Sequence, residues 1–176
     1  MESKTQEEKT LGGKEAIEKM KELIRHNAVC MFTSNIEEVP LQTRPMTTQE
    51  IDEEGNFWFF SARSSHKNDE VRSDARVQLL FANTSESEYL TVYGTAAIVD
   101  DRKKIQDMWS PMVKAWFQGG KDDAELTLLK VKPESAYYWE PKQNKMVTLF
   151  KMALSAVTGK QMEIGQEGKI QSIGDR

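Results

Sequence analysis

The sequence predicts a mainly β protein with added helices, in the α+β class, arranged as a mostly antiparallel barrel. Strand-like runs follow one another with few helices between them, which argues against a parallel sheet of alternating strands and helices. The length of 176 residues suggests one domain with a sizeable core. Hydrophobic residues make up 38% of the chain and cluster in periodic runs, so a folded protein is expected.

The chain begins with a polar lead over residues 1–13, which we expect to be disordered. Apolar residues then recur at helical spacing and predict an amphipathic helix over about residues 14–26. We expect one folded domain over residues 14–160. A Gly-punctuated polar tail follows over residues 161–176, either loosely held or packed on another subunit.

Six strands are predicted from β-branched, aromatic and apolar runs. They cover residues 28–33, 41–46, 57–62, 77–82, 89–99 and 126–131, the last with a continuation to Trp139 left open. Pro45 lies inside the second run. Proline has no N–H for a strand ladder, so this strand is expected at a sheet edge or interrupted there. Residues 52–56 read as a turn.

Three helices are predicted among the strands, over residues 66–73, over residues 101–117 and from Met146 to a stop near Gly159. The second carries large apolar residues on one face, and Pro111 should break or kink it near Trp109. Trp109, Trp116 and Phe117 come close together in this stretch. They are either core anchors or a dimer contact, and both interpretations stay open.

Composition excludes several classes of function. The formal net charge is −4 and the pI about 5.4, so the basic face typical of nucleic-acid binding is not expected. The N-terminus lacks the apolar region of a signal peptide, and no run reaches the roughly 18 apolar residues of a membrane helix. A cytoplasmic location is therefore the default, and it agrees with the single cysteine, Cys30, which reads as a small buried hydrophobe.

Motifs for metal binding and nucleophilic catalysis are absent from the sequence. Two histidines and one cysteine form no zinc pattern, and the carboxylates lie in polar runs. A nucleophile elbow, a dinucleotide fingerprint and a P-loop are also missing. We therefore predict no metal site and name no catalytic residue.

The basic, hydroxyl-rich stretch at residues 61–67 is the strongest candidate for a ligand site. It lies between a predicted strand and a short helix, whose N-terminus offers free N–H groups to an anion, and Lys67 adds a charge. Arg44, on another strand, could supply the bidentate half of a phosphate clamp. The alternatives are a polar surface loop with an N-cap serine and a salt bridge at the strand edge.

The order of these motifs resembles the pyridoxamine 5′-phosphate oxidase-like split-barrel flavoproteins, most closely their bacterial general-stress-protein branch. The resemblance covers roughly residues 14–160. It rests on Arg44-Pro45-Met46, Phe57-Trp58-Phe59-Phe60-Ser61, Ser65-His66-Lys67, Gly94-Thr95-Ala96, Asp100-Asp101-Arg102, Trp109-Ser110-Pro111, Trp116-Phe117, Gly119-Gly120-Lys121-Asp122-Asp123 and Tyr138-Trp139. It implies a six-stranded antiparallel split barrel that binds FMN, and a homodimer with FMN at the subunit interface.

The resemblance also implies a role for individual residues. Arg44 and Lys67 would hold the FMN phosphate with Ser65 beside them, and His66, where the branch often has proline, would donate to phosphate or only shape the turn. The Pro45-Met46 backbone and Phe60-Ser61 would lie along the isoalloxazine. The partner subunit would contribute Trp109 and Pro111, and Trp139 as a further candidate.

The leading functional hypothesis is an FMN-binding general-stress-type flavoprotein, as an NAD(P)H-dependent flavin oxidoreductase with an unknown acceptor. A non-enzymatic FMN carrier or sensor is the alternative. Pyridoxamine 5′-phosphate oxidation ranks last, because the chain lacks the arginine- and histidine-bearing C-terminal segment with which the true oxidases bind their substrate.

Overall fold

A computed structural model describes residues 9–141 and 165–171 of the chain. These residues form nine strands, three α-helices and two 3-10 turns, at Val113–Ala115 and Gly120–Asp122. None of the described helices has the length and apolar character needed to cross a membrane. The elements are β1 Lys9–Leu11, α1 Gly13–Ile24, β2 Val29–Ser34, β3 Gln42–Thr47, β4 Glu50–Ile51, β5 Phe57–Ala62, α2 His66–Ser73, β6 Arg76–Asn83, β7 Glu88–Val99, α3 Arg102–Met108, β8 Leu126–Pro141 and β9 Gly165–Gln171.

The strands form one mixed sheet, so the prediction of six antiparallel strands needs correction. All six predicted runs are strands, but β1, β4 and β9 join them within the described residues, and β1 pairs with β9 in parallel. The order along the sheet is β1-β9-β8-β7-β6-β2-β3, with β5 branching from β8 and β4 from β5. Strands β1 and β4 are short and β9 is polar. Each is held in the sheet by pairing with a neighbouring strand rather than by a hydrophobic pattern of its own.

Strand β8 organises the sheet because it pairs with three other strands. Its first half lies between β5 and β7, and its second half between β7 and β9. The β7 ladder is irregular at Tyr93 and Gly94, where the two backbones approach closely. A Cβ at Gly94 would collide with the carbonyl oxygen of Lys132, so glycine is required there.

Both described ends of the chain are strands. Of the lead predicted to be disordered over residues 1–13, residues 9–11 form β1, and residues 1–8 lie outside the described residues. Residues 9–11 pair with residues 168–170, and both Leu11 and Ile170 are buried. The described part of the C-terminal tail likewise forms a strand on β8 of the same chain. Backbone hydrogen bonds and two anchoring side chains therefore stabilise segments whose composition is polar.

Two hydrophobic cores lie on opposite faces of β5, which explains its unbroken apolar sequence. Phe57 and Phe59 point into the larger core, while Trp58 and Phe60 belong to the smaller one. Helix α1 covers the larger core with its apolar stripe, as predicted. Cys30 is also buried there, and burial raises the pKa of its thiol to about 12, so the prediction of a small buried hydrophobe is confirmed.

Residues 101–117, the stretch that contains Trp109, Trp116 and Phe117, pack on the smaller core but do not form one helix. Helix α3 ends at Met108 with Trp109 as its C-cap, which confirms the predicted break before Pro111. Val113 and Phe117 are buried against β5 and β8, whereas Trp116 is 83% exposed, so Trp116 is not a core anchor in the single chain. The predicted helix from Met146 to Gly159 lies outside the described residues.

Candidate functional site

A cleft of about 470 Å³ lies between β3, the end of β5, the first turn of α2 and the segment that follows α3. This volume is within the range of small-molecule sites. Its wall is cationic at one end and apolar over most of the rest. The lining residues are Arg44, Pro45, Met46, Thr47, Gln49, Phe60, Ser61, Ala62, Lys67, Ser110, Met112, Val113, Trp116 and Phe117.

Strand β3 brings Arg44 to the cleft from the edge of the sheet. Among the described strands, β3 pairs only with β2, in agreement with the edge position predicted from Pro45. The Arg44 guanidinium donates through Nη1 to the Ser34 hydroxyl and through Nη2 to Glu70 Oε2 at 2.7 Å. The Ser34 hydroxyl donates to the same carboxylate oxygen at 2.5 Å. Arg44 is therefore held in one orientation while still lining the cleft.

Lys67 enters the same end of the cleft from the first turn of α2. Its ammonium is half-buried and makes no hydrogen bond or ion pair within residues 9–141 and 165–171. Burial and the nearby charge of Arg44 lower the pKa of the Lys67 ammonium, although Glu70 opposes the shift. Two cations thus share this end of the cleft with one carboxylate, and an anion placed between them would relieve their repulsion.

Ser61 and Ser65 form a hydroxyl pair beside Lys67. Their Oγ atoms are 3.3 Å apart, and the buried Ser61 hydroxyl donates to Asn68 Oδ1 at 2.6 Å. Ser65 is the N-cap residue of α2, but its side chain makes no capping hydrogen bond. Ser64 faces away, with its N–H and hydroxyl both donating to Glu125. Ser61 lines the cleft, and Ser65 lies behind it.

His66 does not line the cleft. Its side chain is 89% exposed, and its Nε2 lies 3.8 Å from Glu70 Oε1, beyond hydrogen-bond distance. The structure therefore separates His66 from Arg44, Lys67 and Ser61, which it brings together. Of the two roles left open for His66, shaping the turn agrees better with this position.

The apolar wall comes from β3, β5 and the segment after α3. Phe60 packs edge-on against Trp109 at 6.2 Å between ring centroids, so Trp109 supports the wall from behind. Pro111 is exposed and Trp139 lies on the far half of β8, where its Nε1 donates to Glu167 at 3.1 Å. Neither lines the cleft of the single chain. The partner-subunit roles expected for Trp109, Pro111 and Trp139 stay predictions.

Sequence reasoning missed several residues of the site. Thr47 and Ala62 directly follow predicted residues and could have been found from strand continuity, whereas Gln49 lies in the link between β3 and β4. Met112 and Trp116 were visible as large apolar residues in the aromatic stretch, which was assigned to a core or a dimer contact. No sequence pattern marked Glu70 or Ser34 as part of the site. A glutamate in a polar helix is expected to be solvated, and Ser34 is a polar residue at the end of a largely apolar strand.

Comparison with known proteins identifies relatives of this chain. The profile of the family described as "Pyridoxamine 5′-phosphate oxidase like" matches residues 15–163. General stress protein 26 of Bacillus subtilis is 30% identical over 77 residues, which cover 42% of this chain and 54% of that protein. The chain thus spans about half the length of the curated relatives it matches.

Solved structures share the fold. A protein from Jannaschia sp. described as a general stress protein 26 superposes with a TM-score of 0.73 at 21% identity, covering 89% of this chain and 98% of that one. The general stress FMN/FAD binding protein of Xanthomonas citri superposes with a TM-score of 0.63 at 27% identity, covering 74% of this chain and 92% of that one.

Proposed function

Because this chain belongs to the pyridoxamine 5′-phosphate oxidase-like family, we propose that it binds FMN non-covalently in the cleft between β3, β5 and α2. One observation carries the proposal: Arg44 and Lys67 line the same end of the cleft with a single neighbouring carboxylate. A phosphate monoester carries roughly −1.5 to −2 charge at neutral pH. It would supply the negative charge that this end of the cleft lacks.

The rest of the cleft is suited to a flat aromatic ring system. Phe60, Met46 and Trp116 offer apolar surface, while Thr47 and Gln49 offer polar groups at its margin. An apolar wall with a few polar groups is typical of cofactor sites. In this arrangement Arg44 and Lys67 would hold the phosphate, with the Ser61 and Ser65 hydroxyls beside it. The Xanthomonas citri relative is named as a flavin-binding protein, which agrees with this assignment.

The function that this site supports best is that of a general-stress-type flavin oxidoreductase, with NAD(P)H as electron donor and an unidentified electron acceptor. Bound flavin would supply hydride and electron transfer. None of the described residues that line the cleft is an aspartate, glutamate, histidine, cysteine or tyrosine. The protein would therefore act by binding and orienting its ligands and excluding water, because hydride transfer needs alignment rather than a general acid or base.

The lack of aspartate, glutamate, histidine, cysteine and tyrosine among these lining residues favours a second candidate function, that of an FMN carrier or sensor. Such a protein needs only the binding site. Pyridoxamine 5′-phosphate oxidation stays the lowest-ranked activity, for the reason given by the sequence.

A homodimer is part of the proposal, since the outer face of β2 and β6 carries an exposed apolar patch. Val29, Met31 and Leu80 are 46%, 43% and 41% exposed. Met31 lies opposite Pro45 on one side and Leu80 on the other, so this face is continuous with the β3 wall of the cleft. A second copy covering it would bury these side chains and extend the cleft. Sedimentation equilibrium of the purified chain tests this, and a monomer at micromolar concentration would contradict it.

The decisive experiment is a fluorescence titration of the flavin-free chain with FMN and, separately, riboflavin. We expect FMN to bind more tightly, because riboflavin lacks the phosphate. Equal affinities would contradict the phosphate assignment, and quenching by neither would contradict flavin binding.

Anaerobic mixing of the FMN complex with NADPH then separates the two candidate functions. Bleaching of the flavin within seconds supports a reductase, and no bleaching supports a carrier.

A further inference from the structure

Glu70 is a charged group beside the cleft that FMN binding does not itself explain. Its carboxylate is buried, with a side chain 6% exposed, although it stands on a polar helix. Oε2 accepts hydrogen bonds from the Ser34 hydroxyl and from Arg44 Nη2. Oε1 is buried and has no hydrogen-bond partner among the described residues. A buried carboxylate with an unsatisfied oxygen is costly, so its retention calls for a reason.

The contacts of Arg44 supply that reason. A guanidinium has five N–H donors in a rigid, planar fork. Ser34 and Glu70 take one donor each from Nη1 and Nη2, and the Ser34–Glu70 hydrogen bond closes a three-membered cluster. Because two donors of a planar group are fixed, the orientation of the whole guanidinium is fixed. The remaining donors are left for a ligand in the cleft that Arg44 lines.

We propose that Glu70 is a positioning residue of the anion site: as a hydrogen-bond acceptor it orients Arg44 toward a ligand phosphate, and its negative charge limits the affinity for that phosphate. The proposal rests on the proposed binding of a phosphate-bearing flavin. The orienting effect comes from the hydrogen-bond acceptor and the limit on affinity comes from the charge, so substitutions can separate them. Glutamine at position 70 keeps an acceptor without the charge, and alanine keeps neither.

The test compares three variants by the ratio of the riboflavin and FMN dissociation constants, which isolates the contribution of the phosphate. Glu70→Ala frees the Arg44 guanidinium and also removes the repulsion. Because the proposal makes orientation the larger of the two effects, we expect the ratio to fall about tenfold, as for one weakened hydrogen bond to a charged group. Glu70→Gln restores the ratio to the wild-type value or above it, because orientation is kept and repulsion removed. Asp69→Asn is the matched control: it removes one negative charge from the exposed, Arg72-paired neighbour on the same helix and should leave the ratio unchanged.

A merely structural role for Glu70 would weaken riboflavin and FMN alike and leave their ratio constant, which would overturn the proposal. A Glu70→Gln ratio as low as that of Glu70→Ala would also overturn it. If Glu70→Ala fails to fold, Ser34→Ala takes its place, because it removes the other group that orients Arg44. The ratio should fall there as well, and an unchanged ratio would count against the proposal.

A second test uses inorganic phosphate as the ligand and needs no flavin. Phosphate should raise the melting temperature of the wild type and Glu70→Gln more than that of Glu70→Ala. If flavins do not bind but phosphate protection follows this order, the FMN assignment fails and the role of Glu70 stands. If phosphate protects no variant, or all variants equally, the role of Glu70 fails whatever the flavin result.

Discussion

The two sides of the cleft differ in how firmly the single chain holds them. On the cationic side, Arg44 is fixed by Ser34 and Glu70, and Ser61 by Asn68. On the apolar side, Met112 and Trp116 are each 83% exposed, although their neighbours Val113 and Phe117 are buried. Electrostatic recognition is thus preorganised within one chain, whereas the apolar surface is left uncovered. For the proposed binding of FMN, this difference predicts that the phosphate end would set specificity and that the ring end would depend on a further contact.

Breaking the cationic side should produce the largest effect. Arg44→Ala removes a charge-assisted contact to phosphate, so we expect FMN binding to weaken by about 1.5–3 kcal/mol with riboflavin binding unchanged. It also leaves the buried Glu70 carboxylate without its ion pair, which should lower the free energy of unfolding by about 3 kcal/mol. Fluorescence titration and urea denaturation measure the two losses.

Arg63→Ala is the matched control for this variant, because Arg63 is partly exposed and its ion pair is with Asp100 rather than with a group of the cleft. It should change neither quantity appreciably. FMN affinity retained by a folded Arg44→Ala protein would remove Arg44 from the proposed site.

Removing the second cation should separate binding from stability. Lys67→Met takes away a point charge that a phosphate would contact, so FMN binding should weaken by about 1.5 kcal/mol. The flavin-free protein should become more stable, because burial and Arg44 disfavour the charged ammonium. A variant that loses both affinity and stability would show that Lys67 has a structural partner instead.

The pH dependence of that stability difference follows from the lowered pKa of Lys67. Its pKa lies below the ordinary value of 10.5, so the native state releases this proton before the unfolded state does. The cost of the charged ammonium is present in full below the folded-state pKa and disappears as pH rises toward 10.5. The stability advantage of Lys67→Met over the wild type should therefore shrink on alkaline titration, as urea denaturation at successive pH values would record. If the stability advantage of Lys67→Met did not change with pH, a lowered pKa of Lys67 would be contradicted.

The apolar side should give the smallest effect on affinity. Trp116→Ala removes aromatic surface from the cleft, and we expect FMN and riboflavin to lose the same binding energy, about 1 kcal/mol. Trp116→Phe should recover much of it. A loss confined to FMN would place Trp116 near the phosphate and would erase the distinction between the two sides.

Sequence reasoning succeeded where the pattern is local. The bounds of β5 and α2 match the predictions, because an aromatic run and a polar helix each carry their own signal. Arg44, Met46, Phe60, Ser61 and Lys67 do meet in one cleft, as the motif order implied. Of the two alternatives left open at Arg44, the salt bridge is confirmed by its pair with Glu70. Arg44 also lines the cleft, and the anion site stays a prediction.

What the sequence could not predict depends on neighbours. Glu70 stands on helix α2, and its burial depends on Ser34 and Arg44, which meet it from strands β2 and β3. Strands β1 and β9 contain few apolar residues, and each becomes a strand because another strand offers it a ladder. The position of residues 110–117 against the cleft likewise comes from Val113 and Phe117 packing on β5 and β8, a contact with no local signature.

The pairing of β1 with β9 has a consequence for the order of events during synthesis. Lys9 and Gly168 are adjacent in the sheet but lie almost the length of the chain apart. While the ribosome is still making the middle of the protein, β1 has no ladder to join and Leu11 has no Ile170 to pack beside. Contacts of such long sequence separation form late. The sheet would thus assemble from its central strands outward, and its last hydrogen bonds would form only after β9 has been made.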